Sequence, residues 1–279
     1  MRWGRLAIGA LLASLVSCGL GLTGQRDVEV TGNDAASPTL PDGAEGGSSP
    51  QPDGATPGDA ATDAFDAGPY ATRVTSGLVG LWELEEDGGA TVHDTTPSPL
   101  DLTIDDTSRV TWKPHALELT DYVEITSGST NFAKAKAACT SEFTAETWVE
   151  SAKNGENDYA RIVWWGSSSS RNLALGTYRD DTWWASMHAS EDLQQGSVTT
   201  SLTHFVGTRA SDGTLTSYVN GTSVGTLGTS GGFSDYPLTL GNVTGGGRGF
   251  RGTLHLVAIY CRALTPAEVK TNFAAGADP

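Results

Sequence analysis

The stretch that decides the fold is Gly249-Phe-Arg-Gly-Thr-Leu-His-Leu-Val-Ala-Ile-Tyr-Cys-Arg-Ala-Leu-Thr-Pro-Ala-Glu268-Val269. Leu254, Leu256, Ala258 and Tyr260 alternate with Thr253, His255, Val257 and Ile259. Successive strand residues point to opposite faces, so the pattern predicts a long strand buried in part on both. The strand runs into Thr265-Pro-Ala-Glu268, which has the form of a capping box. Thr265 accepts from the third helical amide, Glu268 reaches back to the Thr265 amide, and Pro266 suits a first helical position that has no N–H partner to lose. A long strand closed by a short helix is the expected unit.

Upstream, apolar runs recur every 8 to 15 residues between Gly, Ser, Thr and Asp turns, which is an all-β pattern. Tyr218-Val-Asn-Gly-Thr-Ser-Val224 reads as a hairpin, because Asn220-Gly221 supplies the two positive-φ positions of a type I′ turn. The alanine- and lysine-rich run 133–138 is read as a single helical turn within a loop. The Gly-rich run 241–249 has no Lys-Ser/Thr and no following helix, so it reads as a loop and not as a phosphate cradle.

Five segments then occur in a telling order. They are Gly77-Leu-Val-Gly-Leu-Trp82 with Val92-His-Asp94, then His115-Ala-Leu-Glu-Leu-Thr-Asp121-Tyr-Val, then Phe143-Thr-Ala-Glu146-Thr-Trp148-Val, then Thr203-His204-Phe-Val-Gly, then Leu215-Thr-Ser-Tyr-Val-Asn-Gly221. Together they resemble the laminin-G-like family. The resemblance implies a concanavalin A-like jelly roll, a sandwich of two antiparallel sheets with a short C-terminal helix, over residues 73–279. Trp82, Trp112 and Trp148 fall in motif positions and are read as core, and His204 as a partly buried structural residue. Cys139 stands just before the strand containing Trp148, and Cys261 ends the last strand. In the family those strands are antiparallel neighbours, which makes a Cys139–Cys261 disulfide reasonable. It would close a loop of about 120 residues and contribute about 2–4 kcal/mol. The alternative is two unrelated thiols.

The N-terminus reads as an export signal, residues 1–17. Arg2 and Arg5 precede an apolar run, 6–16, which is too short for the roughly 20 residues of a membrane-spanning helix. Leu15-Val-Ser-Cys18 resembles a bacterial lipobox, which implies cleavage before Cys18 and lipid on that residue. Several acyl chains hold a protein on a membrane where one holds it only marginally. The other reading is an ordinary secretory signal in which Cys18 is incidental. Residues 18–72 form a Gly-, Pro- and Asp-rich linker, expected to be disordered because it has too little apolar surface to offset ordering. Its nine carboxylates and the single cation Arg26 give −8, half of the formal net charge of −16. A chain this acidic is repelled by phosphates, so nucleic acid is not an expected partner. The expected location is a bacterial cell envelope, with the lipid as the only membrane attachment and the outer membrane as the site if the cell has one.

The same jelly roll carries glucanases, which place carboxylates at alternate positions of one strand. Glu142-Phe-Thr144-Ala-Glu146, Glu146-Thr-Trp148-Val-Glu150 and Glu83-Leu-Glu85-Glu86-Asp87 each break that spacing. A non-catalytic binding module is therefore expected, with a glycan or an extracellular or envelope protein as partner; a structural envelope protein is the alternative and a glycoside hydrolase the least favoured. Trp164-Trp165 and Trp183-Trp184 each place one ring away from the core. Trp165 and Trp184 are the ring candidates for a ligand, with Arg179 beside them. Arg161, Arg171 and Asp180-Asp181 flank these strands, either as further hydrogen-bonding groups or as a solvated rim. Many jelly rolls of this kind hold one structural Ca²⁺ on six to eight oxygens. Asp121 and the loop containing Asn157 and Asp158 offer such groups; the other reading is solvated turn residues. No other cofactor is expected.

Overall fold

The computed structural model describes residues 72–128, 139, 141–153, 158–179, 181–187 and 191–278. The signal segment, Cys18, the linker up to residue 71, the run 133–138, Asn157 and Asp180 lie outside the described residues.

The first six strands are short: β1 (Leu78–Trp82), β2 (Thr91–Val92), β3 (Leu102–Ile104), β4 (Val110–Lys113), β5 (Ala116–Leu119) and β6 (Ile125–Thr126). Longer strands follow: β7 (Phe143–Ser151), β8 (Tyr159–Gly166), β9 (Arg171–Tyr178), β10 (Thr182–Met187), β11 (Glu191–Ser197) and β12 (Thr203–Arg209). Then come β13 (Thr214–Val219), β14 (Thr222–Gly228), β15 (Leu238–Leu240), β16 (Gly252–Tyr260) and helix α1 (Pro266–Ala275). One sheet has the order β14-β13-β12-β7-β16-β5-β4, with β1 also on β16, and the other β11-β10-β9-β8-β15-β6-β3-β2. All strand pairings are antiparallel. This is the jelly-roll sandwich expected from the sequence.

The inner faces of the two sheets share one core, in which Trp82, Phe143, Trp165, Trp183 and Phe205 are fully buried. Such side chains each contribute about 1.5–3 kcal/mol on leaving water. The type I′ hairpin joins β13 to β14, with φ of 48° at Asn220 and 72° at Gly221. The capping box also forms: Thr265 Oγ1 accepts from the Glu268 amide, and Glu268 Oε2 from the Thr265 amide at 2.8 Å.

Strand β16 is buried on both faces, but its alternation is not continuous. Leu254 pairs with Val149 and Leu256 with Trp148, which leaves His255 as an extra residue. This bulge puts Leu254, Val257 and Ile259 in the inter-sheet core and Leu256, Ala258 and Tyr260 on the opposite face. That outer face is covered by α1, through Val269, Asn272 and Phe273. Trp148 lies under the helix and stacks on Phe273, while Trp112 is only half-buried.

Glu146 is the polar anchor of this face and is fully buried. Its carboxylate accepts from Asn272 Nδ2 of α1 at 2.6 Å, from His204 Nε2 at 3.0 Å, and from Arg73 Nη1. His204 is thus fully buried rather than partly so. Cys139 and Cys261 form the disulfide, with Cα atoms 4.5 Å apart. The β7–β16 pairing of Thr144 with Tyr260 explains why the two cysteines meet.

Candidate functional site

On the second sheet, the sequence Tyr159-Ala-Arg-Ile-Val-Trp-Trp-Gly166 of β8 determines which groups face outward. Strict alternation from Arg161 would send Val163 and Trp165 outward with it. The pairing interrupts that alternation: Arg161 stands opposite Gly176 and Val163 opposite Leu175, so Ile162 is an extra residue. Ile162, Val163 and Trp165 all join the core, and Trp164 shares the outer face with Arg161. Strand β10 keeps its alternation, with Trp183 and Ala185 inward and Trp184 outward. Opposite Trp184 on β9 stands Gly176, where a Cβ would fall 1.9 Å from the Ala160 carbonyl oxygen.

Trp164, Ala174, Trp184 and Val243 form a small apolar floor on this face, edged by Tyr159 and Tyr178. Val243 comes from the Gly-rich loop between β15 and β16, in which Gly241, Gly245, Gly246 and Gly247 take positive φ. The loop is tied down where the Arg161 amide donates to the Arg248 carbonyl at 3.0 Å. It forms one wall, with Gly246, Gly247 and Arg248; Ser168 and Ser169 of the β8–β9 turn stand elsewhere on the lining. The result is an open cleft of about 400 Å³.

Three arginines line it. Arg171 Nη2 donates to Asp192 Oδ1 at 2.8 Å and to Ser186 Oγ at 2.6 Å. Arg248 Nη1 donates to Asp158 Oδ2 at 2.5 Å. Arg161 is only 4% exposed, and its guanidinium lies 4.0 Å over the Trp184 ring, 5.1 Å from the Trp164 ring and 5.2 Å from the Tyr159 ring. Its Nε and Nη1 have no hydrogen-bond acceptor among the described residues. Burial, then the charges of Arg171 and Arg248, lower its pKa to about 9, so it remains a cation at neutral pH. Burial also lowers Arg171 from the usual arginine range, against the opposing pull of Asp192.

The residues expected to bind a ligand are only partly brought together. Trp184 lines the cleft, but its ring is fully buried beneath Arg161 and Tyr159 and offers no open stacking face. Trp165 is a core residue: its Nε1 donates to the Tyr236 carbonyl at 3.1 Å and its ring stacks on Phe233. Arg179 is exposed in the β9–β10 turn, over the Tyr178 ring, and is not among the cleft's lining. Arg161, read as a strand-flanking group, proves to be the buried cation of the site. Its signal in the sequence was an arginine inside an otherwise apolar run.

Of the groups considered for Ca²⁺, Asp121 accepts from Arg251 Nη2 at 3.0 Å and Asp158 from Arg248, so each is engaged by an arginine. Among the described residues no group of three or more His, Cys, Asp or Glu side chains is placed to hold a metal ion. Glu146 lies on the other sheet beneath α1, away from the cleft. Two Gly-x-Ser-x-Gly strings, 221–225 and 228–232, lie in and just after β14 without the strand-to-helix turn that exposes a nucleophilic serine.

A family model described as the concanavalin A-like lectin/glucanases superfamily matches residues 119–270. No curated protein matches the chain. Among solved structures, Trypanosoma rangeli sialidase in complex with sialic acid superposes with a TM-score of 0.58 at 20% identity, over 71% of this chain and 33% of the sialidase. The binding domain of botulinum neurotoxin serotype D/C superposes with a TM-score of 0.56 at 15% identity, over 71% of this chain and 51% of that one. The chain thus spans a third of one and half of the other, and at these identities the likeness concerns the fold.

Proposed function

The chain belongs to the concanavalin A-like lectin/glucanase superfamily, and from that premise we propose that its sandwich is a non-catalytic recognition domain that holds a saccharide in the cleft of the second sheet. The observation that carries this reading is the cleft's chemistry. An apolar floor is surrounded by hydroxyl and guanidinium donors from Ser168, Ser169, Arg171 and Arg248, with the Asp192 carboxylate as an acceptor. Small-molecule sites combine apolar walls with a few placed polar groups in this way. Because the tryptophan rings are covered, the binding energy comes from hydrogen bonds at the rim and not from an open stacking face.

A sialidase among the structural neighbours raises hydrolysis as a second reading, and the cleft residues do not favour the two-carboxylate form of it. A retaining glycosidase of the two-carboxylate kind needs carboxyl groups about 5–5.5 Å apart; sialidases, which use a tyrosine nucleophile, fall outside that rule. Asp192 is the one carboxylate among the described lining residues, and Arg171 and Ser186 already engage it. The proposal includes the anchor: lipid on Cys18 and residues 18–72 as a tether would present the domain at a bacterial envelope.

The test is a glycan array probed with the purified full-length chain and with Ser169→Trp. Ser169 is exposed at the cleft, so the large ring obstructs it without entering the core. Binding that Ser169→Trp abolishes, in a variant with unchanged thermal stability, supports the reading. Glycan binding indifferent to Ser169→Trp removes the cleft from it, and a folded chain that binds no glycan moves the weight to a protein partner in the envelope.

A further inference from the structure

A cation buried without an acceptor is costly, and proteins avoid the arrangement unless a partner completes it. Arg161 is more than nine-tenths buried, and two of its guanidinium nitrogens lack an acceptor among the described residues. The neighbouring charges do not supply one. Asp192 is engaged by Arg171 and Ser186, and Asp158 by Arg248. In a chain with a formal net charge of −16, the lining of this cleft holds three arginines and, among the described residues, one carboxylate.

The arginine is also held in place. Its backbone pairs with Gly176 on one side and donates to Arg248 on the other, while its guanidinium rests on the Trp184 ring. The cation–π contact holds the charge against the aromatic floor, where Arg161 is one of the residues that line the cleft. A neutral sugar can accept hydrogen bonds from these arginines but leaves their charge uncompensated. An anionic substituent would compensate it with charge-assisted hydrogen bonds in a site of low dielectric.

We propose that the cleft selects acidic saccharides, whose carboxylate or sulfate ester compensates the buried charge of Arg161 among the three arginines of the lining. This inference rests on the saccharide reading of the same cleft. Carboxylate and sulfate share the chemistry that Arg161 requires, and the probes below separate them.

The experiment is calorimetric titration of the full-length chain with oligogalacturonate, with its methyl ester, with a sulfated galactan oligosaccharide, with the neutral galactan oligosaccharide, and with inorganic sulfate. The methyl ester keeps the sugar and removes the charge. The expected result is a preference of at least about tenfold for a charged saccharide over its neutral counterpart, weakened by added salt. The preferred pair identifies carboxylate or sulfate. Arg161→Met should abolish the preference and Arg161→Lys should restore part of it, with near-ultraviolet circular dichroism reporting the fold of both. The comparison of acid with ester in the unaltered chain needs no variant, so misfolding of Arg161→Met would leave the test intact. Equal binding of charged and neutral saccharides overturns the acidic preference and leaves the saccharide reading standing. Sulfate binding that depends on Arg161 without any saccharide binding supports the anion site and sinks the saccharide reading. No binding of any probe overturns both.

Discussion

Glu146→Ala tests whether a single buried carboxylate holds the C-terminal helix to its sheet. The side chain has no exposure, and it accepts hydrogen bonds from Asn272 of α1, from His204 of β12 and from Arg73. Truncation takes this acceptor from the buried His204 and Asn272 and from the part-buried Arg73, which keeps the Gly276 carbonyl as Asn272 keeps the Tyr260 hydroxyl. Removing one partner of a buried charged pair costs about 3–5 kcal/mol. At roughly 2–4 °C per kcal/mol for a domain of this size, the melting temperature should fall by about 10 °C. Urea unfolding followed by tryptophan fluorescence reads the loss in free energy, and hydrogen exchange at the α1 amides shows where it acts. The same site predicts a pH dependence. Burial alone would raise the pKa of Glu146, but His204, Arg73 and Asn272 outweigh it and hold the group below its ordinary value of 4.5. Its stabilisation is therefore complete above the unfolded value and is lost as pH falls through the lower, folded one. The gap in stability between the native chain and Glu146→Ala should be constant near neutrality and narrow in acid. A loss below about 1 kcal/mol, far short of a broken buried pair, or a gap that does not change with pH, would refute the reasoning.

The Cys139–Cys261 disulfide joins residues 122 apart in sequence. Its removal in a Cys139→Ala/Cys261→Ala double variant should cost about 2–4 kcal/mol, with loop-closure entropy setting an upper bound near 5 kcal/mol; unchanged urea midpoints would contradict this. Cys18→Ser should abolish incorporation of a labelled fatty acid in bacterial cells and release the protein from the membrane fraction, whereas an incidental cysteine predicts no change in either.

Most of the fold could be read from the sequence because its signals are local. Thr265 and Glu268 are three residues apart, and Asn220 and Gly221 are adjacent, so each pair specifies its turn or cap within one segment. The cysteine pairing came from the resemblance, which supplied the adjacency of β7 and β16 that spacing alone does not contain. The candidate cleft was harder to read, for an identifiable reason. Which side of a sheet a residue faces is a parity, and one bulge reverses it for every residue beyond. Ile162 does this in β8, so Trp164 faces outward with Arg161 and Trp165 turns into the core. His255 does the same in β16 and separates Leu254 from Leu256.

The β8 bulge also has a structural source in the loop that completes the cleft. Strand β15 pairs with β8 only as far as Leu240 opposite Val163, and at the next residue the Gly241 amide donates to the Ile162 carbonyl at 2.9 Å. The chain then turns through positive-φ glycines and returns so that Arg248 accepts from the Arg161 amide. The extra residue on β8 is therefore the place where β15 ends and the Gly-rich loop turns over the outer face. One local irregularity aims Arg161 at the aromatic floor and seats the wall beside it. Two features far apart in sequence, an arginine inside an apolar run and a glycine-rich loop 80 residues later, thus form one site. Neither suggests a site alone, because the arginine has no local partner and the loop has no phosphate-binding pattern. Only the register between β8 and β15 brings them together, and it leaves a buried cation whose Nε and Nη1 have no acceptor among the described residues.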